Sequence, residues 1–246
     1  MINLENLQPT SETLNLIPVP TFITGTLEEA FSPIYEPARR GNDNFKFRGK
    51  DRGTLIGSNF LNTGLANWVF AQSGGKFRIA VPTDNSYETI YPMIKGNFYT
   101  DFNASDVWEA KPSYEKNNEI WKQIIELAEK TQGKVKFPFR MQGVYCIPDN
   151  SKKSYGARIE PAKNFRIIED DRLSLPTGTR FNSLDENGII IPDKNGQFTK
   201  YTLGNGLSRV CLYSYGNLSS DDADLANSGG YGRVAVVGAE GAGKKI

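Results

Sequence analysis

The feature that most constrains the fold is a series of short apolar runs in the second half of the chain. Between residues 135 and 203, runs such as GIIIP and FTKYTL are separated by DEN, DKNG and similar turn-forming segments. Short runs divided by turn residues are typical of β-strands, because most helices in globular proteins are longer. The second half is therefore predicted to be mainly β.

The first half predicts two amphipathic helices and one strand. The first helix begins after Ser58 and Asn59, which can cap it, and stops at the glycines 74–75. The second helix runs from about Ser113 to Gln132, and a glycine follows it. The strand covers residues 76–82. The apolar stripes consist of Leu61, Leu65, Trp68 and Val69 in the first helix, and of Ile120, Trp121, Ile124, Ile125 and Ala128 in the second.

Residues 1–41 are interrupted by five prolines, which disfavour long helices. This segment is predicted to be an extended arm with at most one short helix near Leu27 to Phe31. The fold class is therefore α+β, with a mixed N-terminal region of unknown role at 1–145 and a β-rich domain at 146–246. The prolines are Pro9, Pro18, Pro20, Pro33 and Pro37.

The composition argues against most enzyme classes. The chain contains no histidine, which removes the commonest general base and the commonest imidazole metal ligand. Cys146 and Cys211 lack CxxC spacing, so no zinc site is indicated. We expect a non-enzymatic protein without cofactor or metal. No signal peptide or membrane span is evident, which favours a cytoplasmic or particle-associated protein.

Three acidic or glycine-rich motifs have ordinary explanations. Residues 238–245, GAEGAGKK, have the spacing of a phosphate-binding loop, but Lys245 replaces the hydroxyl that would hold magnesium, which favours a tail. The acidic residues 169–171 are adjacent, so their side chains point in different directions. The aspartates in DDADLANSGG lack the distal glutamate of a calcium loop.

One basic segment supports an alternative function. In FKFRGKDRG, residues 45–53, aromatic and basic side chains alternate, so rings could stack on bases while cations neutralise phosphates. A half-buried hairpin strand shows the same pattern. A phage or particle structural subunit is the other alternative, suggested by the proline-rich arm. The residues of the nucleic-acid alternative are Phe45, Lys46, Phe47, Arg48, Lys50 and Arg52.

The C-terminal stretch, residues 205–239, has the most unusual composition. Lys, Glu, Gln, Met and Trp are all absent from it, while three tyrosines alternate with Ser, Gly, Asn and Asp. Tyrosine offers a large contact area at low entropic cost, and small polar residues adapt their hydrogen bonds, as in antibody paratopes. Recurrent apolar residues should anchor the stretch to a core: Leu207, Val210, Leu212, Leu218, Leu225, Val234, Val236 and Val237.

This stretch resembles the variable regions of proteins from diversity-generating retroelements. In that family the mutated codons cannot specify Lys, Glu, Gln, Met or Trp, which are the residues missing here. The resemblance implies a C-type lectin-like fold, a protein or glycan partner and an invariant closing strand from Gly232. It implies these contact residues: Tyr213, Ser214, Tyr215, Asn217, Ser219, Ser220, Asp221, Asp222, Asp224, Asn227, Ser228, Gly229, Gly230 and Tyr231.

Overall fold

A computed structural model describes residues 19–84, 86–109 and 111–239 of the chain. The described residues form four α-helices, with single helical turns of 3-10 type at Asp43–Phe45, Glu115–Asn117 and Asp171–Ser174 and of π type at Ser86–Ile90. The α-helices are α1 (Gly25–Ala38), α2 (Phe60–Gln72), α3 (Tyr91–Ile94) and α4 (Asn118–Gln132).

Fourteen strands are assigned within the same ranges. The first seven are β1 (Thr21–Phe22), β2 (Gly49–Asp51), β3 (Thr54–Ile56), β4 (Phe77–Ile79), β5 (Tyr99–Val107), β6 (Phe139–Pro148) and β7 (Ala157–Glu169). The others are β8 (Arg180–Leu184), β9 (Ile190–Pro192), β10 (Phe198–Thr202), β11 (Leu207–Leu212), β12 (Leu218–Asp222), β13 (Gly232–Arg233) and β14 (Ala235–Gly238).

Nine of these strands form one large sheet. Its order is β7-β6-β5-β11-β12-β10-β8-β9, and β13 pairs in parallel with the first residues of β5. A three-stranded sheet, β1-β14-β4, joins the first and last described strands, and β2 and β3 form a hairpin. The predicted α+β class and the mainly β second half are confirmed at this level.

Helix α2 is the central helix of the core. Its cap is the predicted one: the Asn59 side chain accepts from the Asn62 amide at 2.8 Å, and Asn62 returns the bond in a capping box. The predicted amphipathic character is wrong, because ten of the thirteen residues are buried. The helix lies between α1, β4, β5 and β6, so nearly its whole circumference contacts protein.

Helix α1 corrects the prediction for the N-terminal segment. It spans fourteen residues although Pro33 and Pro37 lie inside it. Each internal proline costs roughly 3 kcal/mol through a lost hydrogen bond and a clash. The buried side chains of α1 offset this cost, at about 1.5–3 kcal/mol for each large apolar group. They are Leu27, Phe31, Ile34 and Tyr35. Residues 1–18 lie outside the described residues.

The second predicted helix and the predicted strand correspond to α4 and β4, and each is shorter than expected. Helix α4 buries Ile120, Ile124 and Ala128, and Gly133 ends it with a φ of 79°. The expected boundary between residues 145 and 146 lies inside β6, whose neighbours β5 and β7 come from opposite sides of it. One core cluster also combines residues from Ile23 to Val236. None of the helices in the described ranges has the length and apolar character needed to cross a membrane.

Candidate binding surface

The large sheet brings one row of side chains from four strands onto the same face. Asp101 of β5 pairs with Cys211 of β11, Cys211 pairs with Ser219 of β12, and Ser219 pairs with Tyr201 of β10. Side chains of directly paired residues lie on the same face of a sheet. Because side chains alternate along a strand, Tyr99 and Asp221 belong to this face too. Tyr213 follows β11 and its ring contacts Tyr99, and Leu203 follows β10 and its amide donates to the Ser220 carbonyl. We call this face the outer face.

The opposite face of these strands packs on a hydrophobic core. Leu212 and Leu218 pair with each other and are buried together with Phe102, Val210 and Phe198. All eight apolar residues predicted to anchor the C-terminal stretch are at most 2% exposed, which confirms that prediction. The strands therefore carry a core face and an outer face on the same backbone.

Several tyrosines lie close together on the outer face, where β5 begins and β11 ends. The rings of Tyr99 and Tyr213 lie 5.7 Å apart at 50°. Burial raises the pKa of the Tyr99 hydroxyl to about 12. Beyond Tyr213 a tight turn projects Tyr215 into solvent, where its side chain is 74% exposed. Tyr231, which is 70% exposed, precedes β13, and its carbonyl accepts the Tyr99 amide.

The turn that presents Tyr215 has a fixed shape. The Tyr213 amide donates to the Asn217 carbonyl at 2.9 Å, and the Gly216 amide donates to the Tyr213 carbonyl at 2.8 Å. Gly216 has a φ of 79°, and a Cβ there would lie 2.2 Å from the Phe198 ring. Only glycine therefore fits at this position without distortion.

Residues from distant parts of the chain hold the loop that follows β12. Asn59, the cap of α2, donates to the Ala226 carbonyl at 3.1 Å and to the Ser228 hydroxyl at 3.0 Å. The Tyr99 hydroxyl accepts the Gly229 amide at 2.7 Å. The Asn117 amide group donates to the Ala223 carbonyl at 2.8 Å. The loop 222–231 is thus pinned to the scaffold along its length.

A buried polar network lies beneath this loop. Arg209, which is 4% exposed, binds the fully buried Asp101 and also donates to Asp222 at 2.9 Å. The Ser58 hydroxyl donates to Asp101 at 2.6 Å. Burial raises the pKa of the Asp101 carboxyl, and Arg209 and Ser58 oppose that rise. We call Ser58, Tyr99, Asp101, Arg209 and Asp222 the polar network.

The structure separates the predicted contact residues into three groups. Tyr215, Asp221, Asn227, Gly230 and Tyr231 are exposed. Six others are partly buried: Tyr213, Ser214, Asn217, Asp222, Asp224 and Gly229. The last three, Ser219, Ser220 and Ser228, are buried and cannot face a partner. Their assignment is corrected because Ser219 and Ser220 lie within β12, and the Ser228 hydroxyl of the loop 222–231 is covered and accepts from Asn59.

Sequence reasoning missed two exposed apolar residues of the outer face. Tyr201 is 36% exposed and Leu203 is 39% exposed, although Lys200, which precedes Tyr201, is buried. The Lys200 ammonium lies under β10 and donates to the carbonyls of Leu173 and Leu175. The sequence signal for these two residues is the spacing in FTKYTL: Phe198 and Tyr201 are three residues apart, so their side chains lie on opposite faces of a strand.

We call the following exposed residues together the display surface: Tyr201, Leu203, Tyr215, Asp221, Asn227 and Tyr231.

The basic aromatic segment does not support base stacking. Phe45 and Phe47 are 0% and 7% exposed and pack in the core beside Phe31 and Tyr35. This corrects the expected stacking role, since a buried ring cannot contact a base. The basic side chains of the segment are exposed, and Lys50 forms an ion pair with Glu28 at 2.7 Å. Phe45 ends the 3-10 turn Asp43–Phe45 and Phe47 precedes β2, so the alternation does not come from a half-buried hairpin strand either.

The acidic residues of the loop bind protein groups. Asp222 accepts from Arg209 and from Asn227, and Asp224 accepts the Tyr155 hydroxyl at 3.1 Å. Within the described ranges no group of three or more carboxylate, thiol or imidazole side chains is arranged to hold a metal. Residues 240–246, which contain most of the phosphate-loop motif, lie outside the described residues.

Comparison with known proteins found no family model, no curated protein and no solved structure that matches this chain.

Proposed function

We propose that the chain is a non-enzymatic binding protein whose display surface contacts a protein or glycan partner. The single observation that carries the proposal is the concentration of exposed apolar side chains. Seven large apolar residues are exposed in the described ranges, and four of them belong to the display surface: Tyr201, Leu203, Tyr215 and Tyr231. Exposed apolar and aromatic groups that cluster on one surface mark interaction sites.

The hydrogen bonds that hold the loop 222–231 to the rest of the protein also support the proposal. A loop can vary at those side chains that do not hold its backbone. Asn59, Tyr99 and Asn117, which lie far away in the sequence, hold the backbone of the loop 222–231. Asp222 and Asp224 also accept backbone amides of the loop, so the positions free to vary are the exposed ones, such as Asn227 and Tyr231. Binding residues on a loop fixed by a rigid scaffold lose little conformational entropy when the partner binds.

The resemblance to variable proteins of diversity-generating retroelements extends this proposal. In such a protein the exposed positions of the C-terminal stretch would differ between copies, while the buried ones and the closing strands β13 and β14 would stay constant. A C-type lectin-like architecture for the sheet and helices is part of the same proposal.

Close relatives of the sequence test the proposal directly. We expect their differences to concentrate at exposed positions such as Tyr215, Asp221 and Tyr231, while Ser219 and Gly216 stay constant. A reverse transcriptase gene and a near-copy of the coding stretch should lie beside the gene. Near-identity along residues 213–231 with changes scattered elsewhere would contradict the proposal.

A further inference from the structure

The chain contains three asparagine–glycine pairs, and all of them lie in its second half. They are Asn187–Gly188, Asn195–Gly196 and Asn205–Gly206. Asparagine before glycine is prone to deamidation, because the glycine amide nitrogen can attack the side-chain carbonyl carbon and no Cβ hinders the approach. The reaction needs a side chain that can turn and a glycine amide that is not already bound. The structure therefore decides which of the three pairs reacts.

The first pair lies in a closed turn, residues 185–188. The Asp185 carboxylate accepts the Asn187 amide at 2.9 Å, and the Asp185 carbonyl accepts the Gly188 amide at 2.9 Å. Aspartate favours such a turn because its side chain can bind the backbone two residues later. The Gly188 carbonyl also accepts from Arg140 at 2.6 Å. Attack on Asn187 would first have to break the hydrogen bond of the Gly188 amide.

The second pair lies in a turn of the same kind, residues 193–196. Both turns have the sequence Asp-x-Asn-Gly. The Asp193 carboxylate accepts the Asn195 amide at 2.9 Å, and the Asp193 carbonyl accepts the Gly196 amide at 2.9 Å. The Gly196 carbonyl accepts from Arg180 at 2.7 Å. The attacking amide is occupied in this turn too.

The third pair lacks the aspartate, since Leu203 stands at the matching position. The Asn205 side chain is exposed, and neither it nor the Gly206 amide forms a hydrogen bond with any residue that the structure describes. No atom lies within 4 Å of a Cβ placed on Gly204. The Gly206 carbonyl accepts the Trp108 amide at 2.9 Å, which fixes the glycine. The Asn205 side chain can therefore turn towards an unoccupied amide that the sheet holds in place.

We infer that Asn205 is a site of spontaneous deamidation in the folded protein. The Gly206 amide nitrogen attacks the side-chain carbonyl carbon of Asn205, its proton passes through solvent to the side-chain nitrogen, and ammonia leaves. Water then opens the resulting five-membered succinimide ring at either of its two carbonyl carbons, which gives aspartate or isoaspartate. Water is the only co-reactant, and no oxidant or reductant is needed. The inference does not rest on the proposed function.

The two products have different effects on the fold. Aspartate adds a negative charge two residues from Leu203 of the display surface. Isoaspartate also inserts a further carbon atom into the main chain just before Gly206. A Cβ on Gly206 would lie 2.4 Å from backbone and side-chain atoms of Ser113, so this part of the chain has little room to shift. Isoaspartate at residue 205 should therefore weaken the pairing with Trp108 at the start of β11.

Ageing of the full chain in neutral buffer, followed by peptide mapping with mass spectrometry, tests the inference. The three asparagines are compared within one sample of folded protein and within one sample unfolded in urea. In the folded protein Asn205 should deamidate about threefold to tenfold faster than Asn187 and Asn195, because only these two must first lose a hydrogen bond. In urea all three turns are open, and the three rates should become similar.

Variants at residue 205 test the effect on the fold. Ageing should lower the melting temperature of the parent chain but not that of Asn205→Gln, whose longer side chain forms a cyclic imide far more slowly. Asn195→Gln is the matched control, and it should lose as much as the parent on ageing. Freshly prepared Asn205→Asp, which has the charge without the extra carbon atom, should melt close to the fresh parent.

Three results would overturn the inference. The first is conversion of Asn187 or Asn195 that equals or exceeds that of Asn205 in the folded protein. The second is the same difference in rate in urea, because neighbouring residues and not the hydrogen bonds would then cause it. The third, which concerns the weakened start of β11, is an equal loss of melting temperature in aged Asn205→Gln and in the aged parent.

Discussion

The display surface and the polar network lie on the outer face of the large sheet and in the loops around it, yet their residues are used in opposite ways. In the polar network, Ser58 and Asp222 cover Arg209 and Asp101, and each charge has a partner. In the display surface, Asp221, Tyr215 and Tyr231 face solvent. The two sets have similar amino-acid types. The comparison teaches that burial, and not polarity, decides which residues of the C-terminal stretch can meet a partner.

The comparison predicts very different costs of substitution. Removing a buried charged group leaves its partner unpaired in a poorly solvated site, whereas an exposed side chain is replaced by water. Substitutions in the polar network should therefore lower the free energy of unfolding, whereas substitutions in the display surface should change only the affinity for a partner.

The largest expected effect is that of Arg209→Met. The variant leaves the Asp101 carboxylate buried without its cation, which should lower the free energy of unfolding by about 3–5 kcal/mol. Urea denaturation followed by circular dichroism measures this loss. Arg180→Met, an exposed arginine on a neighbouring strand, is the control and should change stability by less than about 1 kcal/mol. Equal effects of the two substitutions would remove the distinction between network and surface.

The next effect is that of Gly216→Ala in the turn that presents Tyr215. The alanine would have to keep a left-handed backbone conformation, and its Cβ would clash with the Phe198 ring. We therefore expect the free energy of unfolding to fall by about 2–4 kcal/mol. Gly230→Ala is the matched control, because no atom lies within 4 Å of a Cβ at that position. Thermal melting of both variants provides the measurement, and a stable Gly216→Ala protein would show that the turn is not rigid.

A smaller effect is expected for Tyr99→Phe. The lost hydroxyl accepts the Gly229 amide, so stability should fall by about 1–2 kcal/mol. Hydrogen exchange at Gly229 should become faster, because the loop 222–231 loses one of its attachments. Tyr215→Phe, in which the altered hydroxyl is on a 74% exposed side chain, should leave exchange and stability unchanged. Unchanged exchange in Tyr99→Phe would argue against the pinned loop.

The smallest effect is that of Tyr215→Ser combined with Tyr231→Ser. Both rings are mostly exposed, so their removal should change the free energy of unfolding by no more than about 0.5 kcal/mol each. The same double variant should lose affinity for any partner that binds the display surface. A large loss of stability would mean that these rings support the fold instead of a partner.

The elements that local sequence determines were predicted well. Asn59 caps α2 and Gly133 ends α4, because a capping side chain and a glycine act within a few residues. Only a short part of helix α1 was predicted, near Leu27 to Phe31, because its full length is stabilised by tertiary burial of Phe31 and Tyr35, which proline positions do not reveal. The buried state of α2 likewise depends on strands that surround it.

The candidate site was predictable only in part. The unusual composition of residues 205–239 located the surface, and Tyr215 and Tyr231 are exposed as expected. Its burial pattern was not predictable, because Tyr99 and Asn59 reach the loop 222–231 from more than a hundred residues away. Strand pairing also placed Tyr201 beside Ser219, which no local pattern shows.

The central claim is that the C-terminal stretch separates display positions from scaffold positions. Its most direct test is to randomise two sets of residues in parallel and count folded, protease-resistant variants in each library. The first set is Tyr215, Asp221, Asn227 and Tyr231, and the second is Ser219, Ser220 and Ser228. The account predicts that most variants of the first library fold and that few of the second do. Similar folded fractions in the two libraries would contradict it.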